Sequence, residues 1–272
     1  MSALDPLLLA ACAAVGAGAG FLGGLLGIGG GVVIVPALLL LFEARGMPAS
    51  SAAPVAVATS LATIIATSVS AARAQIRRAS VDWGIVRAWT PALVLGSAAS
   101  GPLASLLPGA VLPWFIGLFL FAVALVMLSA WTPAPHRRLP GGAPGFGLGA
   151  SAGLLSGLAG IGGGNVIVPT FVYFNVPMRM AAGTSSTLGF PIAVAGTIGF
   201  LVAGHGRTDL PAGTLGYVHL PAAGALAVLS FAAAPLGVAL AHRIPAPRLK
   251  RIFGVLLVVV SSRVLWGAFA AL

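Results

Sequence analysis

Long apolar runs dominate the chain, at residues 84–107, 111–131, 182–204, 217–241 and 252–272. Each is close to the ~20 residues a helix needs to cross a hydrocarbon core. Two further apolar segments, 6–42 and 146–175, are each interrupted by Gly-Ile-Gly-Gly-Gly, at 27–31 and 160–164. Every glycine weakens a helix by about 1 kcal/mol relative to alanine, so a turn is predicted at both interruptions. Backbone groups freed by such a turn at membrane depth must pair within the protein or line a wet cavity, because lipid offers no partner. The polar stretches between runs are short, and none is long enough for a separate soluble domain.

The interruptions belong to an internal repeat. Residues 16–36 align with 149–169 at a constant offset of 133, and 16 of the 21 pairs are identical. The shared string ends in Val-Ile-Val-Pro at 33–36 and 166–169. Beyond Pro36 and Pro169 the register slips by eight residues, which sets Ala58-Thr59-Ser60 opposite Gly183-Thr184-Ser185. The predicted organisation is a first repeat at 1–132, a Pro/Gly-rich linker at 133–145 and a second repeat at 146–272. Each repeat opens with a glycine ladder, Gly16, Gly20 and Gly24 or Gly149, Gly153 and Gly157, whose four-residue spacing makes one face for close helix packing.

Composition confirms the solvent. Hydrophobic residues make up 59% and charged residues 7% of the chain, against roughly 25% charged in a soluble domain. The net charge of +10 does not indicate nucleic acid, since the basic residues sit in short loops between apolar runs. They report topology instead, because arginine and lysine in short loops favour the cytoplasmic side. If every apolar segment, broken ones included, crossed once, the loop charges would divide seven to six. If the broken segments are hairpins that return to the side they entered from, only Arg45 and Arg207 lie outside, Arg263 falls within the last helix, and the other eleven of the 14 are cytoplasmic. A limb such as Val32 to Phe42 would be about 16 Å long, roughly half a bilayer. The predicted fold class is therefore an all-α polytopic membrane protein of two inverted repeats, each with a re-entrant glycine-broken hairpin and about three transmembrane helices. The lipid bilayer is one partner, and both termini are periplasmic. Met1 to Asp5 lacks the basic start of a cleaved leader, so the first run is retained. Cys12, the single cysteine, is a packing residue without disulfide or metal partner.

A new helix starting near Val32 and near Asn165 would aim unpaired amides and its positive dipole end at each break, the ingredients of an anion site. Asn165 can cap its helix, while Val32 cannot. Pro36 and Pro169 remove an amide donor from each limb. Candidate ligand contacts are Gly29, Gly30, Gly31, Gly162, Gly163, Gly164 and Asn165, with the hydroxyls of Thr59, Ser60, Thr184 and Ser185 placed alike by the repeat. Thr59, Thr63 and Thr67 share one helix face. Arg263 stands about 18 Å along a helix from Arg251, near mid-membrane, and is a functional candidate on that ground. His219 reads as an interfacial residue. The four acids, Asp5, Glu43, Asp82 and Asp209, lie at segment ends or in loops, which argues against a carboxylate proton relay or sodium cage. No Walker loop, metal-ligand cluster, cofactor motif or catalytic set is present, so the reading is not an enzyme.

The repeated Gly-Ile-Gly-Gly-Gly and Val-Ile-Val-Pro, with Ala-Thr-Ser and Gly-Thr-Ser downstream, resemble the sulfite/organosulfonate exporter family of TauE/SafE-type permeases over nearly the whole chain. That resemblance implies an inner-membrane permease for small anions such as sulfite, sulfoacetate or related sulfonates. It also implies site residues at Gly29 to Gly31, Gly162 to Asn165, Thr59, Ser60, Thr184 and Ser185. Asn165 stands opposite Val32, so the two half-sites differ. Alternating access with outward transport is the leading expectation. An anion channel, an uptake carrier for another small organic anion and a non-transporting membrane subunit are the alternatives. Substrate, direction, coupling ion and oligomeric state are left open by the sequence.

Overall fold

Inside lipid every backbone group must pair within the protein, which leaves helices and closed β-barrels, and the computed structural model is helical. It describes residues 5–27, 29–108, 111–129 and 138–270. In the first repeat the helices are α1 (Pro6–Leu26), α2 (Gly31–Glu43), α3 (Ala49–Ile76), α4 (Trp83–Leu106) and α5 (Val111–Leu128). The second repeat has α6 (Gly142–Ala159), α7 (Gly164–Tyr173), α8 (Met178–Ala203), α9 (Leu220–Ala241) and α10 (Ala246–Ala270). Between α8 and α9 a small antiparallel hairpin, β1 (Thr214–Leu215) and β2 (Val218–His219), pairs Thr214 with His219. Each predicted run is a helix. Helix α6 begins at Gly142, within the expected linker, whose residues 133–137 lie outside the described residues.

The first broken segment is a hairpin. Asp5 caps α1 by accepting from the amides of Leu7 and Leu8 at 3.0 and 3.4 Å, and its other oxygen accepts from Arg45 Nε at 2.9 Å. The residue before α1 and a residue just after α2 are thereby joined at one mouth. At the far end Gly30 lies against the backbone of Ala19 and Gly23, so the chain has already doubled back when α2 begins. With 13 residues α2 is about 20 Å long, too short for a full span; α7, with 10, is shorter still.

The two repeats interlock by exchanging arms. The ladder of Gly16, Gly20 and Gly24 lies on α9, where a Cβ would collide with the carbonyls of Leu226, Ser230 and Ala234 in turn. Gly149, Gly153 and Gly157 meet α4, against the Ala92 side chain, the Leu93 carbonyl and the Ser100 side chain. The equivalent pairs α3 with α9 and α8 with α4 pack beside them, while α3 packs on α8 and α5 on α10. The packing scheme is thus unchanged when one repeat is exchanged for the other.

Outside this core the surface is apolar. Leu7, Leu106, Val228 and Trp266 are 74, 80, 69 and 69% exposed, an arrangement that water would penalise and hydrocarbon would not. Among the described residues, four helices, Pro6–Leu26, Ser50–Ile76, Met178–Ala203 and Leu220–Ala241, are long and apolar enough to cross a membrane.

Candidate functional site

The glycines of the two breaks have matching φ. Gly27, Gly29 and Gly30 have φ of 73, 74 and 83°, and Gly160, Gly162 and Gly163 have 68, 62 and 91°. Left-handed conformation at three positions in four is accessible at little cost only to glycine. The N-caps of α2 and α7 are Gly30 and Gly163, which have no side chain with which to bond the first-turn amides. Among the described residues no acceptor is found for the amides of Gly31 and Val32, or of Gly162 to Asn165. The sequence reading of Asn165 as N-cap is corrected: the left-handed Gly163 starts the helix two residues earlier, and Asn165 is its second residue. Pro36 and Pro169, inside α2 and α7, withdraw the donors that would otherwise reach the carbonyls of Val32 and Asn165.

The breaks meet each other. A Cβ on Gly31 would collide with the Gly160 carbonyl and lie 2.6 Å from Ile161 Cα. Gly29, Gly30, Gly31, Gly162, Gly163, Gly164 and Asn165 are all buried, so this junction is closed to solvent.

The hydroxyls sort by helix face. Thr59 and Thr67 look from α3 toward α9. Thr59 Oγ1 accepts from the His219 amide at 3.0 Å, and Thr67 Oγ1 pairs with Ser230 Oγ at 2.7 Å. Thr184 does on α8 what Thr59 does on α3, accepting from the Asp82 amide at 3.0 Å. Asp82 and His219 cap α4 and α9, so each threonine anchors a helix start of the other repeat. His219 is not interfacial as read from sequence. The β-hairpin folds it inward, where it is fully buried beside the Phe42 ring at 5.7 Å.

The adjoining face of α3 carries Ser60, Ile64 and Ser68 at four-residue spacing, and this face touches the breaks. Ser60 Oγ donates to the Gly160 carbonyl at 2.7 Å. Ile64 Cγ2 would lie 3.1 Å from a Cβ on Gly29 and 2.7 Å from one on Gly162, and its Cδ1 2.9 Å from one on Gly31. Ser68 Oγ and the Gly162 carbonyl both line Gly189, at 2.7 and 3.2 Å from where its Cβ would sit. Ser185, the counterpart of Ser60, makes no such bond. The side-chain polar atoms of Ser68, Asn165 and Ser185 are buried without a partner. Sequence reasoning missed Ile64, Ser68 and Gly189, although the four-residue step from Ser60 was visible. Arg263 stands apart, exposed on α10, which packs on α5 and α2.

Charge is paired at the mouth of the first hairpin and in the loop between α8 and α9. The Arg45 guanidinium holds the Asp5 carboxyl below the usual carboxylate range, and Arg207 does the same to Asp209 across a 2.7 Å ion pair. Arg207 also donates to Tyr217 at 2.9 Å.

Comparison with known proteins agrees with this architecture. The family described as sulfite exporter TauE/SafE matches residues 12–264. A "probable membrane transporter protein" of Haemophilus influenzae is 32% identical, covering 92% of this chain and 95% of its own. A protein of Methanocaldococcus jannaschii with the same description is 29% identical over 90% of both chains, and one of Xylella fastidiosa is 28% identical over 93% of both. No solved structure matches this one. With nearly its whole length matched and its relatives described as transporters rather than enzymes, the chain belongs to the TauE/SafE family of membrane transporters.

Proposed function

We propose that this protein carries a small anion, sulfite or an organosulfonate, outward across the inner membrane by alternating access of two inverted halves. The observation that carries the reading is the junction of the breaks. Two helix starts without side-chain caps meet there beside the buried, unpartnered groups of Ser68 and Asn165, and the repeat supports adding Ser185, also buried without a partner. Amide and hydroxyl donors beside positive dipole ends favour an oxyanion. Buried polar groups left unpaired are costly unless a ligand completes them. Broken helices that meet at a repeat interface are where inverted-repeat carriers hold substrate.

Gly29 to Gly31 and Gly162 to Asn165 shape the site, with Ser185 as a direct donor. Thr59, Ser60 and Thr184 hold the surrounding helices, and Arg263 faces the surroundings of the protein. The inverted orientation has support from charge. Arg45 and Arg207, the only loop arginines outside in that arrangement, are the two neutralised by Asp5 and Asp209. Sulfite and export are favoured by the family's description.

Purified protein in liposomes loaded with unlabelled sulfite is expected to take up labelled sulfite by counterflow, with no nucleotide and no other protein. A steady anion current without counterflow would make the protein a channel. Silence toward sulfite, sulfoacetate, taurine and small carboxylates would overturn the carrier reading.

A further inference from the structure

The two halves of the junction are chemically unequal. In the register that pairs Thr59 with Thr184, Ile64 corresponds to Gly189 and Ser68 to Ala193. One helix, α3, therefore supplies both a bulky side chain and a hydroxyl where α8 supplies neither. The isoleucine has no equivalent across the pseudo-twofold relation, yet its side chain lies against Gly29, Gly31 and Gly162 and so stands in the space between the breaks. Gly189 leaves a notch opposite, and Ser68 Oγ enters it. That hydroxyl is 1% exposed and has no hydrogen-bond partner. Many serines in this chain return their proton to a carbonyl three or four residues back, as Ser156 and Ser186 do. Ser68 does not, although such a bond is open to a serine within a helix.

Ser185 borders the same space. Gly27 lies against Ala182 as Gly160 lies against Val57, and Ser185 follows Ala182 by the three residues that separate Ser60 from Val57. Gly189 is one turn further along that face of α8. Two unpartnered hydroxyls, from α3 and α8, thus flank the first break.

We propose that the anion is held off the symmetry axis, beside the first break, with Ser68 donating to it and Ile64 forming the wall that limits the length of the molecule admitted. The proposal rests on the anion-carrier reading above and names the residues that set its selectivity. A wall of this kind favours a bare oxyanion such as sulfite over a sulfonate with a two-carbon tail.

Counterflow of labelled sulfite, with unlabelled taurine and sulfoacetate as competitors, should be measured for the wild-type protein, I64V, I64A and S68A. The competitor-to-sulfite affinity ratio is expected to rise along the series Ile, Val, Ala, by about tenfold at alanine. S68A should bind sulfite about tenfold more weakly, while the melting temperature of its ligand-free form does not fall, because no existing bond is lost. Should I64A fail to fold, I64V carries the comparison at smaller amplitude. Competitor ratios that stay constant in folded protein, or wild-type sulfite affinity in S68A, would overturn this assignment while leaving the carrier intact. A wild-type protein that moves no anion would overturn the carrier reading itself, and this assignment with it.

Discussion

Serines that look equivalent in the repeat have different work at the residue scale. Ser60 closes a buried bond to the Gly160 carbonyl, and Ser185, its partner in the alignment, closes none. Replacing Ser60 by alanine strands a buried carbonyl and should cost about 1–3 kcal/mol of stability, read as a lower melting temperature. Ser185→Ala removes a group that bonds nothing in the ligand-free protein, so its melting temperature should hold while the KM for the transported anion rises about tenfold. Equal thermal losses in both variants would assign both serines to structure. This division was illegible in sequence. The repeat places both hydroxyls alike, and only the different surroundings of the two breaks decide which one finds an acceptor. His219 shows the same limit: its short flanking strands gave no sign that they would turn it inward.

At the scale of elements, spacing was informative. The four-residue glycine ladders were legible as packing faces, because a period close to the helical repeat stacks small residues on one side. The structure adds which helix fills each face, α9 for the first and α4 for the second. Gly20 and Gly18 make a clean contrast. A Cβ at Gly20 would collide with the Ser230 carbonyl and lie 2.5 Å from its Cα, whereas nothing lies within 4 Å of one at Gly18. Gly20→Leu should abolish the monodisperse peak in size-exclusion chromatography, and Gly18→Leu should elute as the wild type does. The glycine breaks were legible too, since three glycines in four residues cannot continue a helix cheaply. The helix starts near Val32 and Asn165 were legible to within a residue, but the cap of α7 was misread as Asn165 because a left-handed glycine cap leaves no side-chain signal.

For the whole molecule, the inverted arrangement makes a directional prediction. Single cysteines introduced at Ser2 and Leu272, in a background where the buried Cys12 is replaced by alanine, should react with a membrane-impermeant maleimide from the periplasmic side of intact cells. A cysteine at Arg78 should react only after the membrane is opened. Protection of both termini would reverse the orientation, and opposite behaviour of the two termini would rule out the predicted odd crossing number of each repeat.

The sequence by itself determined the solvent, the helical class and most of the helical runs, the repeat and the two breaks, because each follows from hydropathy, period or the local cost of glycine. Only the tertiary structure decided that the breaks touch, that Thr59 and Thr184 anchor helix starts of the opposite repeat, and that Ser60, Ile64 and Ser68 form the face turned to the junction. These are contacts between residues far apart in the chain, 100 positions for Ser60 and Gly160 and 160 for Thr59 and His219, and no local pattern encodes which of two adjacent faces of α3 meets the breaks. That choice is made when the exchanged arms fix the rotation of α3 against α8 and α9.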